Sequence, residues 1–333
     1  YVVKFIGDNY LHEEPYTSTL QQMGIEVLYG QEYLTGIWDW LVKNGKDIHV
    51  AYLNRPHIAT KYVDFIKEHT DIKMIYYGHD LHFMREFREY ELTGDVKKRQ
   101  ESEYWKSIEF SLFHKVAVSY YPSYVEEEAI HAVDETIPVK AITAYVYEEF
   151  LQNLNKDFAK REGLLFVGGF AHPPNADAVL WFAKEVFPKI REQIKVNFYI
   201  VGSKVTDEIK ALEQPGNGII VKGFVSEEEL ADLYRNCRIV VVPLRYGAGV
   251  KGKVVEAIYN GAPIATTSVG SEGIPDVEKV LLVKDQPDEF AETVVELYKD
   301  EKRLEDLAEK TQVYIREHFS IDAAWNVIKE DFE

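Results

Sequence analysis

One cysteine, Cys237, stands alone in the sequence. No internal disulfide can form. The residue sits beside an apolar strand and reads as a buried small side chain rather than a nucleophile. No stretch comes near the roughly 18 apolar residues that a membrane span requires. Cations are scarce: 38 Lys and Arg stand against 56 Asp and Glu, a formal charge of −18. That balance argues against a nucleic-acid partner. Low-complexity tracts, internal repeats and a signal-peptide pattern are all lacking, so the cytoplasm is the expected compartment. The chain opens at Tyr1 inside an apolar strand, as a piece of something longer would.

What is present is a globular composition, 46% hydrophobic and 28% charged over 333 residues, enough for two domains. Strand and helix signals alternate throughout. The first half reads as strands over 2–7, 26–29, 48–53, 73–77, 115–119 and 140–144 with helices between them. The helix over 85–113 is long, charged and broken at Thr93-Gly94. The second half restarts with strands over 164–167, 196–201, 218–221, 239–243, 263–266 and 280–283. Its helices fall over 175–190, 206–212, 287–299, 303–318 and 321–332. Ser226 with Glu229 makes a capping box. The acidic runs Glu126-Glu127-Glu128 and Glu227-Glu228-Glu229 read as solvated helix faces. Residues 147–162 are polar, lack strand patterning and mark a seam. The expected fold class is α/β, with two Rossmann-like, doubly wound parallel-sheet domains facing across a cleft. They take 1–150 and 151–320, the last helix packs back on the first, and ligands sit at the carboxyl ends of the strands.

The densest chemistry lies at 238–261, RIVVVPLRYGAGVKGKVVEAIYNG. It reads as a buried strand, a turn with Gly247 and Gly249, and a helix ending at Asn260-Gly261. Such a turn gathers free N–H groups and the positive end of a helix dipole at one point. Arg245, Lys251 and Lys253 add charge in a chain short of it. Glu256 lies three residues after Lys253, on the same helical face. The set suits a diphosphate at the helix start and a diol, such as a ribose, one turn deeper. Surface lysines and a solvent-facing Glu256 are the bland alternative.

Several of these segments together resemble a family 4 glycosyltransferase, a sugar-retaining family with the GT-B fold. They are LLFVGGFAHPP at 164–174, Gly223-Phe224-Val225, residues 243–257 and GAPIATT at 261–267. HDLHFMRE at 79–86 is similar to a segment of bacterial transferases of cell-surface polysaccharide assembly. The resemblance implies that Glu256 accepts hydrogen bonds from the nucleotide ribose. It implies that Gly249, Val250 and Lys251 form the turn holding the diphosphate, that Gly168-Gly169 brings backbone close to the phosphate, and that Gly223-Phe224 contacts the base. His79 or His82 matches the first-domain histidine near the transferred sugar. Arg245 and Lys253 would stabilise the leaving diphosphate. The implied function is transfer of a sugar from a nucleoside-diphosphate donor to a glycan or lipid-linked acceptor. It needs no further cofactor and no metal, and such an acceptor would bring the protein to the inner membrane face.

The sequence departs from the family in three places. The glutamate expected eight residues before Glu256 is Ala248, so a carboxylate near the anomeric carbon is absent or comes from elsewhere, with Glu272 a candidate. The Arg and Lys expected after the first donor-domain strand are replaced by residues 170–175, FAHPPN. One strand–helix unit expected before Tyr1 is not there. Two other readings follow: a degenerate transferase-like module that binds partners within a larger assembly, and a nucleotide-sugar epimerase. His172 and Asn175 read as helix caps. His79, Asp80 and His82 have too few neighbouring ligands for a metal site. Residues 85–89 read as a salt-bridged helix face, and Trp38, Trp40, Tyr76, Tyr77, Tyr120 and Tyr121 mainly as core.

Overall fold

The computed structural model describes residues 1–247 and 249–332, the side chain of Leu92 excepted. Ala248, where the sequence departs from the family pattern, lies outside the described residues. The chain forms two compact units. One holds residues 1–121, 129–140 and Phe332, and the other 122–128 and 141–331.

In the first unit, β1 (Lys4–Ile6) and β2 (Glu26–Leu28) pair as a separate parallel ribbon. A second sheet runs in the order β3 (Val50–Asn54), β4 (Lys73–Tyr77), β5 (Val118–Tyr121), β6 (Val139–Ala141). The β3–β4 and β4–β5 pairs are parallel. Every residue of β5, and every residue of β4 after Lys73, is buried, as strands with both faces covered must be. Tyr76, Tyr120 and Tyr121 are fully buried, whereas Trp38 stays 38% exposed beside Tyr62 and Phe65. The long charged helix does break where the sequence breaks it. His82–Thr93 ends at Gly94, whose φ of 70° suits glycine, and Val96–Phe113 starts with Asp95 accepting from the Lys97 amide.

The second unit has one six-stranded sheet. It comprises β7 (Leu164–Val167), β8 (Phe198–Val201), β9 (Ile219–Gly223), β10 (Ile239–Val242), β11 (Ile264–Thr266) and β12 (Leu281–Val283), in the order β12-β11-β10-β7-β8-β9. All five pairs are parallel. Counted from β7 this is the doubly wound order of a dinucleotide-binding fold. The order reverses between β7 and β10, where such folds hold their ligands. The expected helix over 175–190 is interrupted: Pro173–Trp181 passes into a π-helical stretch, Phe182–Val186, before Phe187–Gln193. Pro188 has no N–H to donate to the preceding turn, and the wider turn absorbs the break. The Ser226 hydroxyl accepts from the Glu229 amide as expected. Cys237 is buried, and burial pushes its thiol up to about 11. Among the described residues no helix is long and apolar enough to cross a membrane.

One acidic run is not what it resembled. Glu227, Glu228 and Glu229 are exposed, but Glu126 is only 1% exposed and Glu127 accepts from the Ala141 amide at 2.9 Å. In the helix Tyr124–His131, Glu126 lies four residues before the buried Ile130. It therefore shares a face with an apolar residue, which three acidic letters in a row conceal.

Candidate functional site

The site of the second unit is assembled from the ends of β7, β8, β9 and β10. After β7 the chain turns at Gly168-Gly169. A Cβ on Gly168 would fall 3.0 Å from Asn175 Cγ and 3.2 Å from Lys253 Cε. A Cβ on Gly202, after β8, would fall 1.9 Å from the Gly168 carbonyl oxygen. Gly202 also donates to the Gly223 carbonyl at 2.8 Å. Glycine thus lets three strand ends meet backbone to backbone. Gly223 itself has φ 70°, and Phe224 after it is 81% exposed.

Asn175, 4% exposed, bridges two elements. Its Nδ2 donates to the Gly169 carbonyl at 2.8 Å, and its Oδ1 accepts from Lys253 Nζ at 2.7 Å. It is not the helix cap expected from the sequence. His172 occupies that position and makes no side-chain cap bond. Burial, then the charges of Lys253 and Lys251, hold the His172 imidazole below its ordinary value.

After β10, Pro243 and Leu244 are buried and the chain enters the glycine turn, with φ 137° at Gly247 and 72° at Gly249. Lys251 is the N-cap residue of the helix Gly252–Tyr259. It is 9% exposed, its ammonium donates to the Gly249 carbonyl, and it lies 3.9 Å from Glu272. Val250 packs on Gly273, whose Cβ would fall 3.1 Å from Val250 Cγ2. Burial, then the charge of Lys251, pulls the Lys253 ammonium down to about 8, against the attraction of Glu256. Burial likewise pushes the Glu256 carboxyl above its ordinary range, against Tyr234 and Lys253. The charges of this helix face are thus incompletely matched by the protein.

Gly168, Gly169, Gly249, Lys251, Lys253 and Glu256 therefore surround one helix start. Arg245 takes a different partner. Its Nε donates to Asp177 Oδ2 at 2.8 Å, in a two-pronged pair with the helix Pro173–Trp181. Concavities of about 410 and 540 Å³ elsewhere in the unit, against β12 and β9, include none of these residues.

His79 and His82 belong to the first unit, past the end of β4. The His79 ring meets Tyr77 edge-on at 4.9 Å; burial, then Arg55, holds its imidazole below the ordinary value. His82 opens the helix His82–Thr93. Glu109, fully buried, accepts from the His82 amide at 2.9 Å and the Phe83 amide at 3.1 Å, and lies 3.3 Å from His82 Nδ1. Burial lowers the His82 imidazole, but Glu109 and Asp80 together hold it above its ordinary value. Arg85 pairs with Asp80 and Glu86, as a salt-bridged face should. Among the described residues no group of three or more His, Cys, Asp or Glu is placed to hold a metal ion.

Chemically, the second-unit cluster brings a helix N-terminus, the Lys253 ammonium and the His172 imidazole together, a set able to meet an anion. One turn on, Glu256 offers acceptors suited to hydroxyls.

Residues 161–300, which span β7 to β12, match the family model described as glycosyl transferases group 1. That stretch of the chain is thus similar to group 1 glycosyl transferases. A protein of the cps region of Klebsiella pneumoniae, described as an uncharacterized 44.6 kDa protein, is 28% identical over 184 residues. Those cover 53% of this chain and 45% of that protein. HepE of Anabaena, solved in complex with UDP, superposes with a TM-score of 0.68 at 13% identity, over 96% of this chain and 89% of its own. Sucrose-phosphate synthase of Thermosynechococcus elongatus gives 0.67 at 15% identity, over 97% and 84%. TarM gives 0.68 at 13% identity, over 89% of this chain and 57% of TarM. The matches thus span only about half the length of the Klebsiella protein and of TarM. These structural likenesses establish the fold, which is GT-B.

Proposed function

We propose that the protein is a retaining, metal-independent glycosyltransferase of cell-surface polysaccharide synthesis. It takes a sugar from a nucleoside-diphosphate donor and passes it to a glycan or lipid-linked acceptor at the cytoplasmic face of the membrane. The observation that carries the reading is the Asn175–Lys253 clasp over the Gly168-Gly169 turn, with Glu256 on the same helical face. UDP in the HepE structure supports the donor class.

In this reading the diphosphate lies on the amides of Gly249, Val250 and Lys251 and on the Lys253 ammonium. Glu256 takes the ribose hydroxyls and Gly223-Phe224 the base. His79 or His82 stands near the transferred sugar. The bond between the anomeric carbon and the diphosphate oxygen breaks, and its electron pair stays on the phosphate. The acceptor hydroxyl attacks the same face, and its proton passes to the departing phosphate. Fixed donors aimed at that oxygen lower the barrier, about 3–4 kcal/mol for each such group.

Calorimetry with UDP, GDP and dTDP, followed by transfer assays on a panel of nucleotide sugars, tests the proposal. Micromolar binding of one nucleotide, lost in Glu256→Ala, is expected. Full affinity in that variant removes the ribose role, and no binding of any nucleotide overturns the reading. The engagement of Arg245 by Asp177 favours one competitor, a degenerate binding module, which the same titration excludes or establishes.

A further inference from the structure

A second polar group lies against the same glycine turn, and no part of the diphosphate site uses it. Glu126 is 1% exposed. One of its carboxyl oxygens, Oε2, accepts from the Ser123 hydroxyl. The other, Oε1, is buried without a hydrogen-bond partner and lies 3.8 Å from where a Cβ on Gly249 would sit. Ser123 is itself locked, since a Cβ on Gly273 would fall 2.6 Å from Ser123 Cβ. The nearby charges are Lys251 and Glu272, whose carboxylate oxygen is 3.9 Å from the ammonium.

The two neighbourhoods of the turn therefore differ in sign. Around Asn175 and Lys253 the formal charge is positive, which suits phosphate. Around Glu126 two carboxyls share one ammonium, a negative surplus that repels phosphate and suits a ligand rich in hydroxyl donors. A buried carboxyl oxygen with no donor costs stability until something donates to it. Burial also pushes the Glu126 carboxyl above its ordinary range, against the bond from Ser123.

We propose that Glu126, oriented by Ser123 and flanked by Lys251 and Glu272, accepts a hydrogen bond from a hydroxyl of the donor's sugar and so selects which sugar is transferred. This rests on the reading of Lys253 and the helix start as the diphosphate site.

The test compares Glu126→Gln and Glu126→Ala with wild type. Calorimetry uses UDP, UDP-glucose, UDP-galactose, UDP-N-acetylglucosamine, GDP and GDP-mannose, and each variant is melted to check its fold. Affinity for the bare nucleotide should change less than about twofold. Affinity for the preferred nucleotide sugar should fall about tenfold or more, as loss of a hydrogen bond to a charged group implies, and discrimination between sugar epimers should shrink with it. Unchanged sugar discrimination in a folded Glu126→Ala overturns the role of Glu126 while leaving the nucleotide site standing. Equal losses for nucleotide and nucleotide sugar mark a merely structural residue and also overturn it. If wild type binds no nucleotide at all, both this proposal and the function beneath it fail.

Discussion

The two units treat their charges in opposite ways. In the first, the cluster past β4 satisfies itself. Glu86 is held below the usual carboxylate range despite its burial, because Lys98 and Arg85 bond to it. Glu109 caps a helix with both oxygens. In the second, Lys253 is pulled down and Glu256 pushed up, because burial exceeds what their protein partners return. Charges that the fold stabilises belong to the scaffold. Charges that the fold leaves under-compensated wait for a partner from outside.

Replacing Lys253 breaks the comparison most directly. Lys253→Met should lower transfer about 10²–10³-fold while leaving the melting temperature equal or higher, since an ammonium with a depressed pKa is a burden on the fold. A clear fall in melting temperature would place Lys253 among the scaffold charges. Glu109→Ala should do the reverse. It strands two amides and the His82 ring, so urea denaturation should register a loss of about 3 kcal/mol, with nucleotide affinity unchanged.

A pH profile sharpens the contrast. Lys253 keeps its proton in the fold only up to about 8, whereas the unfolded chain keeps it to near the ordinary lysine value of 10.5. The unfolded state therefore binds more protons between those values, so the stability gap between wild type and Lys253→Met should close as pH rises through that window. The free-enzyme kcat/KM should fall above about pH 8 as the ammonium is lost, a limb that Lys253→Arg should remove. The smallest effect serves as a control. Asp300→Ala removes the side chain that accepts from the Arg303 amide at 3.0 Å at the start of the helix Glu301–Phe319 and should cost about 1 kcal/mol in stability, with no change in nucleotide affinity.

Much of this arrangement was legible in one dimension. The glycine turn, Lys251, Lys253 and Glu256 share a single segment, so their spacing alone sets them on one helix start. Asn175 looks like a cap in sequence because it lies near a helix start, whereas its partners are Gly169 and a lysine 78 residues away. The pairing of Arg245 with Asp177 is invisible in sequence because the two lie 68 residues apart. Glu126 is hidden in an acidic run, and only its bond from Ser123 and its place against Gly249 distinguish it from the exposed Glu128.

The sequence by itself determined the alternation of strands and helices, the break at Gly94, the capping box at Ser226 and the glycine turn. Each of these depends on residues within a turn or two of one another. The tertiary structure alone decided which charges are matched. Burial and pairing depend on side chains tens to hundreds of residues apart, brought together where the strand order reverses between β7 and β10.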